Sequence, residues 1–300
     1  ITVTGTNNEI NAGSGNDKIY INSSNNSAFI TGGDGDDYIS VTGTNNSNIH
    51  GGAGYDRLYQ TSNILNCDGF EDITSTASKA SFSIASDTEV KINILGHIYT
   101  INSNTAQLIN YELQDKMLNM TIENATVNAQ NGANNQLNII GNKNTLNIKD
   151  GDDKIIINGN ENIITTVSGN KNIQINGDNN TYTGTNDVNT IKINGNSNNI
   201  TAGDSSDIIN IASGEDNTIH ALDGDDIITV AGNNNNIYGE SGNDTIIFEG
   251  SNDSSHVINA GEGDDTLYIK GSGSTGSIDA GAGVDKIIVS GSNNTNLETG

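Results

Sequence analysis

The stretch Asn259-Ala-Gly-Glu-Gly-Asp-Asp-Thr-Leu-Tyr-Ile269 reads as a turn followed by a strand. Gly261 and Gly263 permit a tight backbone path, Asp264 and Asp265 bring carboxylates to its end, and Leu267 and Ile269 alternate with outward positions as in a half-buried strand. A glycine-cradled carboxylate at the mouth of a strand suggests a calcium turn leading into a sheet.

Variants of this unit recur along most of the chain. Anchored on the residue that begins the D-x-I-x-I pattern, they start at Asp17, Asp37 and Asp56, then at Asn135, Asp153, Lys171, Asn189, Asp207, Asp226, Asp244, Asp265 and Asp285. The spacings of 18 to 21 residues within each block are a solenoid signature. An apolar or aromatic residue lies seven positions before almost every anchor, among them Ile10, Ile30, Ile49, Ile164, Tyr182, Ile219 and Ile278. Each coil therefore has two strands whose inward faces meet as a thin two-layer core.

The turn opposite the glycine–aspartate turn is rich in asparagine, as in Gly43-Thr-Asn-Asn46, Gly177-Asp-Asn-Asn180 and Gly195-Asn-Ser-Asn198. Asparagine tolerates left-handed backbone and bonds its own main chain, so these runs need no ligand, and stacked between coils they can form amide ladders.

Composition agrees with this organisation. Lys+Arg 12 against Asp+Glu 37 gives a formal net charge of -25, which disfavours nucleic acid and anionic membranes as partners and favours cations. Hydrophobic residues are only 32%, but they sit in short alternating runs, which argues against disorder. Pro is 0, as expected where every strand pairs on both sides. The single cysteine, Cys67, excludes an internal disulfide framework and reads as a small residue at an array end rather than a nucleophile. No apolar run reaches the length of a membrane helix, so no transmembrane segment is expected, and no signal peptide is visible. The start at Ile1 and the stop inside a coil suggest a piece of a longer chain.

The period divides the chain into a first array over 1–64, a β-rich insertion over 65–130 and a second array over 131–300. In the insertion, Val90 to Ile101 reads as two strands joined at Leu95-Gly96, while Thr105 to Asn119 is compatible with a short helix or with further strand.

The candidate metal residues are the glycines and anchor aspartates of eight turns. These are Gly13, Gly15 and Asp17; Gly33, Gly35 and Asp37; Gly52, Gly54 and Asp56; Gly151 and Asp153; Gly224 and Asp226; Gly242 and Asp244; Gly261, Gly263 and Asp265; and Gly281, Gly283 and Asp285. One turn offers too few oxygens for calcium, which takes about six to eight, but two turns stacked about 4.8 Å apart can share an ion. Several calcium ions are therefore expected, in one cluster from Asp17 to Asp56 and another from Asp226 to Asp285. Lys171 and Asn189 replace the aspartate and Ser205 replaces a glycine, which argues against calcium in those turns.

Gly32-Gly-Asp-Gly-Asp-Asp-Tyr-Ile-Ser40 and Gly51-Gly-Ala-Gly-Tyr-Asp-Arg-Leu-Tyr59 match the nonapeptide G-G-x-G-x-D-x-U-x, and the chain thereby resembles the RTX (repeat-in-toxin) family over roughly 1–60 and 145–300. The resemblance implies a right-handed parallel β-roll that folds on calcium after type I secretion, in toxins, proteases, lipases, adhesins or surface-layer proteins. The departure is that acidic turns occupy one edge alone, as in the one-sided variant of large RTX adhesins.

Other readings fare worse. His50, His97, His220 and His256 have no acid or nucleophile at consistent spacing, so no enzyme is expected. An ice-binding ladder is rejected because the outward turn residues vary, from Ser14/Asn16 to Asp34/Asp36, Ala53/Tyr55, Glu262/Asp264 and Ala282/Val284. A polysaccharide-processing β-helix would need acids and bases gathered in one groove, and Arg57 is the chain's single arginine. The expected role is a calcium-dependent structural segment of a secreted bacterial cell-surface protein, such as an S-layer subunit or adhesin stalk, with self-association in a surface lattice as a further expectation. The alternative is the secretion and folding module of a toxin or hydrolase.

Overall fold

A computed structural model of the chain describes every residue except 63, 86, 87, 96, 104, 115, 116, 130–133 and 252–254. The protein is an all-β parallel solenoid with coils of about 19 residues, and the described residues contain no helix. It comprises two compact units, Ile1–Asn131 with Gln136–Asn147, and Gly132–Asn135 with Ile148–Gly300.

In the second unit the anchored strands stack in parallel, from Asp153–Asn158 through Lys171–Asn176, Asn189–Asn194 and Ile208–Ser213 to Lys286–Val289. Anchors stand in register, Asp153 opposite Lys171 and Lys171 opposite Asn189. The shorter strands, such as Ile163–Thr166, Thr181–Thr183 and Asn199–Thr201, form the facing parallel sheet. Burial follows the period-two pattern: Ile173, Ile175, Ile191 and Ile193 face Ile164, Tyr182 and Ile200, all at most 1% exposed. β-branched isoleucine suits such a pleated surface and repeats coil after coil, so the core is a column of apolar side chains.

In the first unit the anchored strands Lys18–Ile21, Tyr38–Val41, Arg57–Gln60 and Asp72–Ser75 pair in parallel in one sheet. Ile30–Asp34, Asn46–Ala53 and Ile64–Asp68 build the other. The insertion then adds antiparallel pairings to both sheets. Thr88–Ile94 pairs with His97–Ser103 as the expected hairpin, turning at Leu95, whose φ is 51°; Gly96 lies outside the described residues. The segment left open between helix and strand is strand, Gln107–Gln114 followed by Met117–Thr121.

These hairpins shift the repeat by half a coil relative to the winding. Ile64–Asp68 runs towards the glycine–aspartate turns, and two antiparallel steps, Lys79–Ile84 with Gln107–Gln114 and Gln107–Gln114 with Met117–Thr121, restore that direction. Gln136–Ile140 pairs in parallel with Met117–Thr121 and so also runs towards that edge. It leads, however, into the asparagine turn Gly141-Asn-Lys-Asn144, which stacks on the turn at Asn124 through Asn124 N–H to Asn142 O at 2.9 Å. Within this unit, asparagine turns take over the edge that acidic turns began.

Candidate metal edge

In the turns before Asp244 and Asp265 one edge closes on a glycine that admits no side chain. Gly242 has φ 136° and Gly263 φ 137°, backbone that L side chains rarely adopt. A Cβ on either would meet the carbonyl oxygen of the turn below, Gly224 O or Gly242 O, at 1.9 Å. Main-chain carbonyls of successive turns are thus packed together along the edge.

The anchor aspartates form a ladder on the inner side of these turns. The N–H of Asp17 donates to Asp37 Oδ1 at 2.7 Å, Asp37 N–H to Asp56 Oδ1 at 2.8 Å, Asp207 N–H to Asp226 Oδ1 at 2.6 Å, and Asp226 N–H to Asp244 Oδ1 at 2.8 Å. Asp244 and Asp265 continue the row to Asp285. A second ladder on the outer side runs the opposite way: Asp36 N–H donates to Asn16 Oδ1, Asn243 N–H to Asp225 Oδ1 and Asp264 N–H to Asn243 Oδ1.

The inner ladder uses one carboxylate oxygen. The other, Oδ2 of Asp37, Asp56, Asp153, Asp207, Asp226, Asp244, Asp265 and Asp285, is buried without a hydrogen-bond partner among the described residues; that of Asp153 has an ion contact, to Lys171 Nζ at 3.1 Å. Burial pushes the Asp226 carboxyl up to about 8, Asp207 and Asp244 to about 7 and Asp56 to about 6, and raises Asp265. The N–H that each accepts pulls these values back; neighbouring carboxylates push Asp56, Asp226, Asp244 and Asp265 further up.

The opposite turns of the second unit provide an internal control. Asn162, Asn180, Asn198 and Asn217 are equally buried, and the N–H and Nδ2 of each donate to Oδ1 of the next asparagine at 2.8–3.1 Å. Nδ2 of Asn180, Asn198 and Asn217 also reaches a glycine carbonyl at 3.0 Å, on Gly159, Gly177 and Gly195 in turn. An amide carries its own donor, whereas a carboxylate accepts alone, so one edge is satisfied by protein and the other leaves an oxygen orphaned at each intact rung.

Lys171 shows what fits there. Its side chain is fully buried, and Nζ lies 2.5 Å from Gly151 O, 2.5 Å from Ser168 O, 2.9 Å from Gly169 O and 3.1 Å from Asp153 Oδ2. By register, the corresponding oxygens between the next intact turns are Gly224 O, Ser241 O, Gly242 O and Asp226 Oδ2, then Gly242 O, Glu262 O, Gly263 O and Asp244 Oδ2. Gly242 O belongs to both sets, so neighbouring rungs share ligands. Among the described residues no group of three His, Cys, Asp or Glu side chains gathers as a metal centre; the acceptors are mainly main-chain carbonyls, the hard oxygen donors that calcium prefers.

No family model matches the chain, and no curated protein matches it. Among solved structures it is similar to a "hyperactive, Ca2+-dependent, beta-helical antifreeze protein from an Antarctic bacterium", at 18% identity and a TM-score of 0.44, over 98% of this chain and 80% of that one.

The structure also places residues that sequence reasoning missed. Glu71 is a fourth rung of the first row: Asp56 N–H donates to Glu71 Oε2 at 2.8 Å, and Arg57 pairs with Asp72. The signal was Glu71-Asp-Ile73 after Gly69, hidden by a coil of 15 residues. Asp207, set aside because of Ser205, lies on the ladder with its Oδ2 orphaned like the rest. In the turns before Asp226 and Asp244 the first glycine's place is taken by Leu222 and Glu240 with φ 79° and 76°, backbone uncommon outside glycine.

The histidines have local partners: His50 bonds Asp68 and stacks on Phe29, His220 bonds Glu240 at 2.7 Å and stacks on Tyr238, and His256 packs on Phe248. Cys67 is buried, which pushes its thiol up to about 12 and leaves it unreactive. Among the described residues no helix is long and apolar enough to cross a membrane.

Proposed function

We propose that the chain is a calcium-stabilised, non-catalytic structural segment of RTX type, belonging to a secreted bacterial cell-surface protein such as an S-layer subunit or adhesin stalk. The observation that carries this reading is the row of buried carboxylate oxygens without donors, beside stacked carbonyls that form the cage Lys171 fills with an ammonium. An unpaired buried carboxylate is costly, and a divalent cation offsets it. When bound, calcium neutralises the aspartates and cross-links adjacent coils. The anchors Asp17, Asp37 and Asp56, and Asp207 through Asp285, would hold it together with the carbonyls of the glycine turns.

Stacked coils with both edges closed suit a load-bearing spacer, and a need for external calcium supports the surface placement. The non-catalytic part of the reading is supported by His50, His220 and His256, each tied to a local partner among the described residues.

The test is thermal unfolding followed by circular dichroism in calcium and in excess chelator. Calcium bound by the folded state alone stabilises it by about 2.7 kcal/mol per site at a hundredfold excess over the dissociation constant. Identical melting in both buffers would sink the reading.

A further inference from the structure

The interruption of the acidic row at Lys171 is filled from within. We infer that the Lys171 ammonium is a built-in replacement for a metal ion, so that the rung between Asp153 and Lys171 is held together by protein alone. This rests on the calcium reading of the intact turns.

The contacts define the role. Lys171 takes the anchor position, in register with Asp153 on one side and Asn189 on the other. An aspartate there would point an acceptor at the Asp153 N–H, as Asp244 does for Asp226. Lys171 instead extends its ammonium among carbonyl oxygens of its own turn, Ser168 and Gly169, and of the turn below, Gly151. It also lies 3.1 Å from Asp153 Oδ2, an ion contact to the oxygen that accepts no hydrogen bond in Asp153 or in the intact rungs. A surface lysine seeks water with its ammonium; this one has a side-chain exposure of 0%, as has Asp153, so its charge is balanced by the cage.

The next rung repeats the device in neutral form. Asn189 Nδ2 donates to Asp187 O at 2.7 Å, to Ala202 O at 3.2 Å and to Asp207 Oδ1 at 3.2 Å, while Asn189 Oδ1 accepts from the Tyr182 hydroxyl at 3.2 Å. Two successive rungs thus carry N–H donors where their neighbours carry orphaned oxygens. The Gly151–Asp153 turn, a calcium candidate by sequence, presents its acceptors to Lys171, and metal ligation begins again only at Asp207.

The experiment counts calcium ions by native mass spectrometry on the 300-residue chain and on Lys171→Asp, both equilibrated with calcium chloride. Removing the ammonium and restoring the carboxylate should add one ion per chain. A folded Lys171→Asp with the wild-type count overturns the inference, and a wild type with no bound calcium overturns the calcium reading beneath it. Lys171→Met supplies a second arm that needs no metal. In excess chelator it leaves Asp153 unpaired in the core, and its melting temperature should fall by roughly 10 °C relative to wild type. Coincident melting of Lys171→Met and wild type in chelator also overturns the inference.

Discussion

The N–H of Asp226 donates to Asp244 Oδ1 at 2.8 Å across 18 residues, while Oδ2 of the same Asp244 carboxylate is buried without a partner. One oxygen of each such side chain joins coil to coil, and the other meets no donor.

Asp244→Asn therefore separates the two tasks. The amide keeps the acceptor for Asp226 and brings a donor to the orphaned side, so in chelator the variant should be more stable than wild type, by about 1–3 kcal/mol. In calcium it should bind fewer ions and lose that advantage. Paired denaturant titrations with and without calcium measure both; a variant less stable than wild type in chelator contradicts the orphan-oxygen account.

The reverse exchange on the other edge should be damaging in every buffer. Asn180→Asp removes the Nδ2 donor that reaches Gly159 O and Asn198 Oδ1 and buries a charge beside acceptors. A loss of about 3–5 kcal/mol, insensitive to calcium, is expected from chemical denaturation.

Asp153→Ala and Asp265→Ala should differ in kind. The first leaves the buried Lys171 ammonium without its carboxylate and should destabilise by about 3–5 kcal/mol with or without calcium. On the calcium reading Asp265→Ala removes a metal ligand, an unpaired charge and the acceptor of the Asp244 N–H, so its penalty should be larger in calcium than in chelator, where the lost acceptor alone counts against it. Melting curves in the two buffers separate these cases.

In calcium-free solution stability should rise as pH falls. Asp207, Asp226 and Asp244 have folded values of about 7, 8 and 7, well above the usual carboxylate range, so between about pH 4 and 7 the folded state binds protons that the unfolded chain does not. The stabilisation is complete below the unfolded value and lost as pH climbs through the folded ones. On the calcium reading the metal competes with those protons and should flatten the slope. A calcium-free chain that grows more stable from pH 5 to pH 8 would contradict the burial of these groups.

Much of this was legible in sequence because the solenoid writes its period in residue spacing. D-x-I-x-I with an apolar residue seven places earlier located both sheets, and the asparagine runs announced their ladder. Three features were not legible, each for a physical reason. Glu71 sits on the ladder by register with Asp56, and a shortened coil conceals register from any count of spacing. Leu222 and Glu240 adopt positive φ because the stack imposes it, contrary to their own preference. The role of Lys171 depends on carbonyls of two turns that only winding brings together.

The asparagine ladder has a mechanical corollary. Its amides need nothing from solution, so on the calcium reading removing the metal should loosen a coil along one seam and leave the opposite seam buttoned. Such a coil should loosen like a book held by its spine, with each page still opposite its proper neighbour. Returning calcium should then have only to close the cover, with no search for strand alignment, and reclosure should be fast and independent of protein concentration.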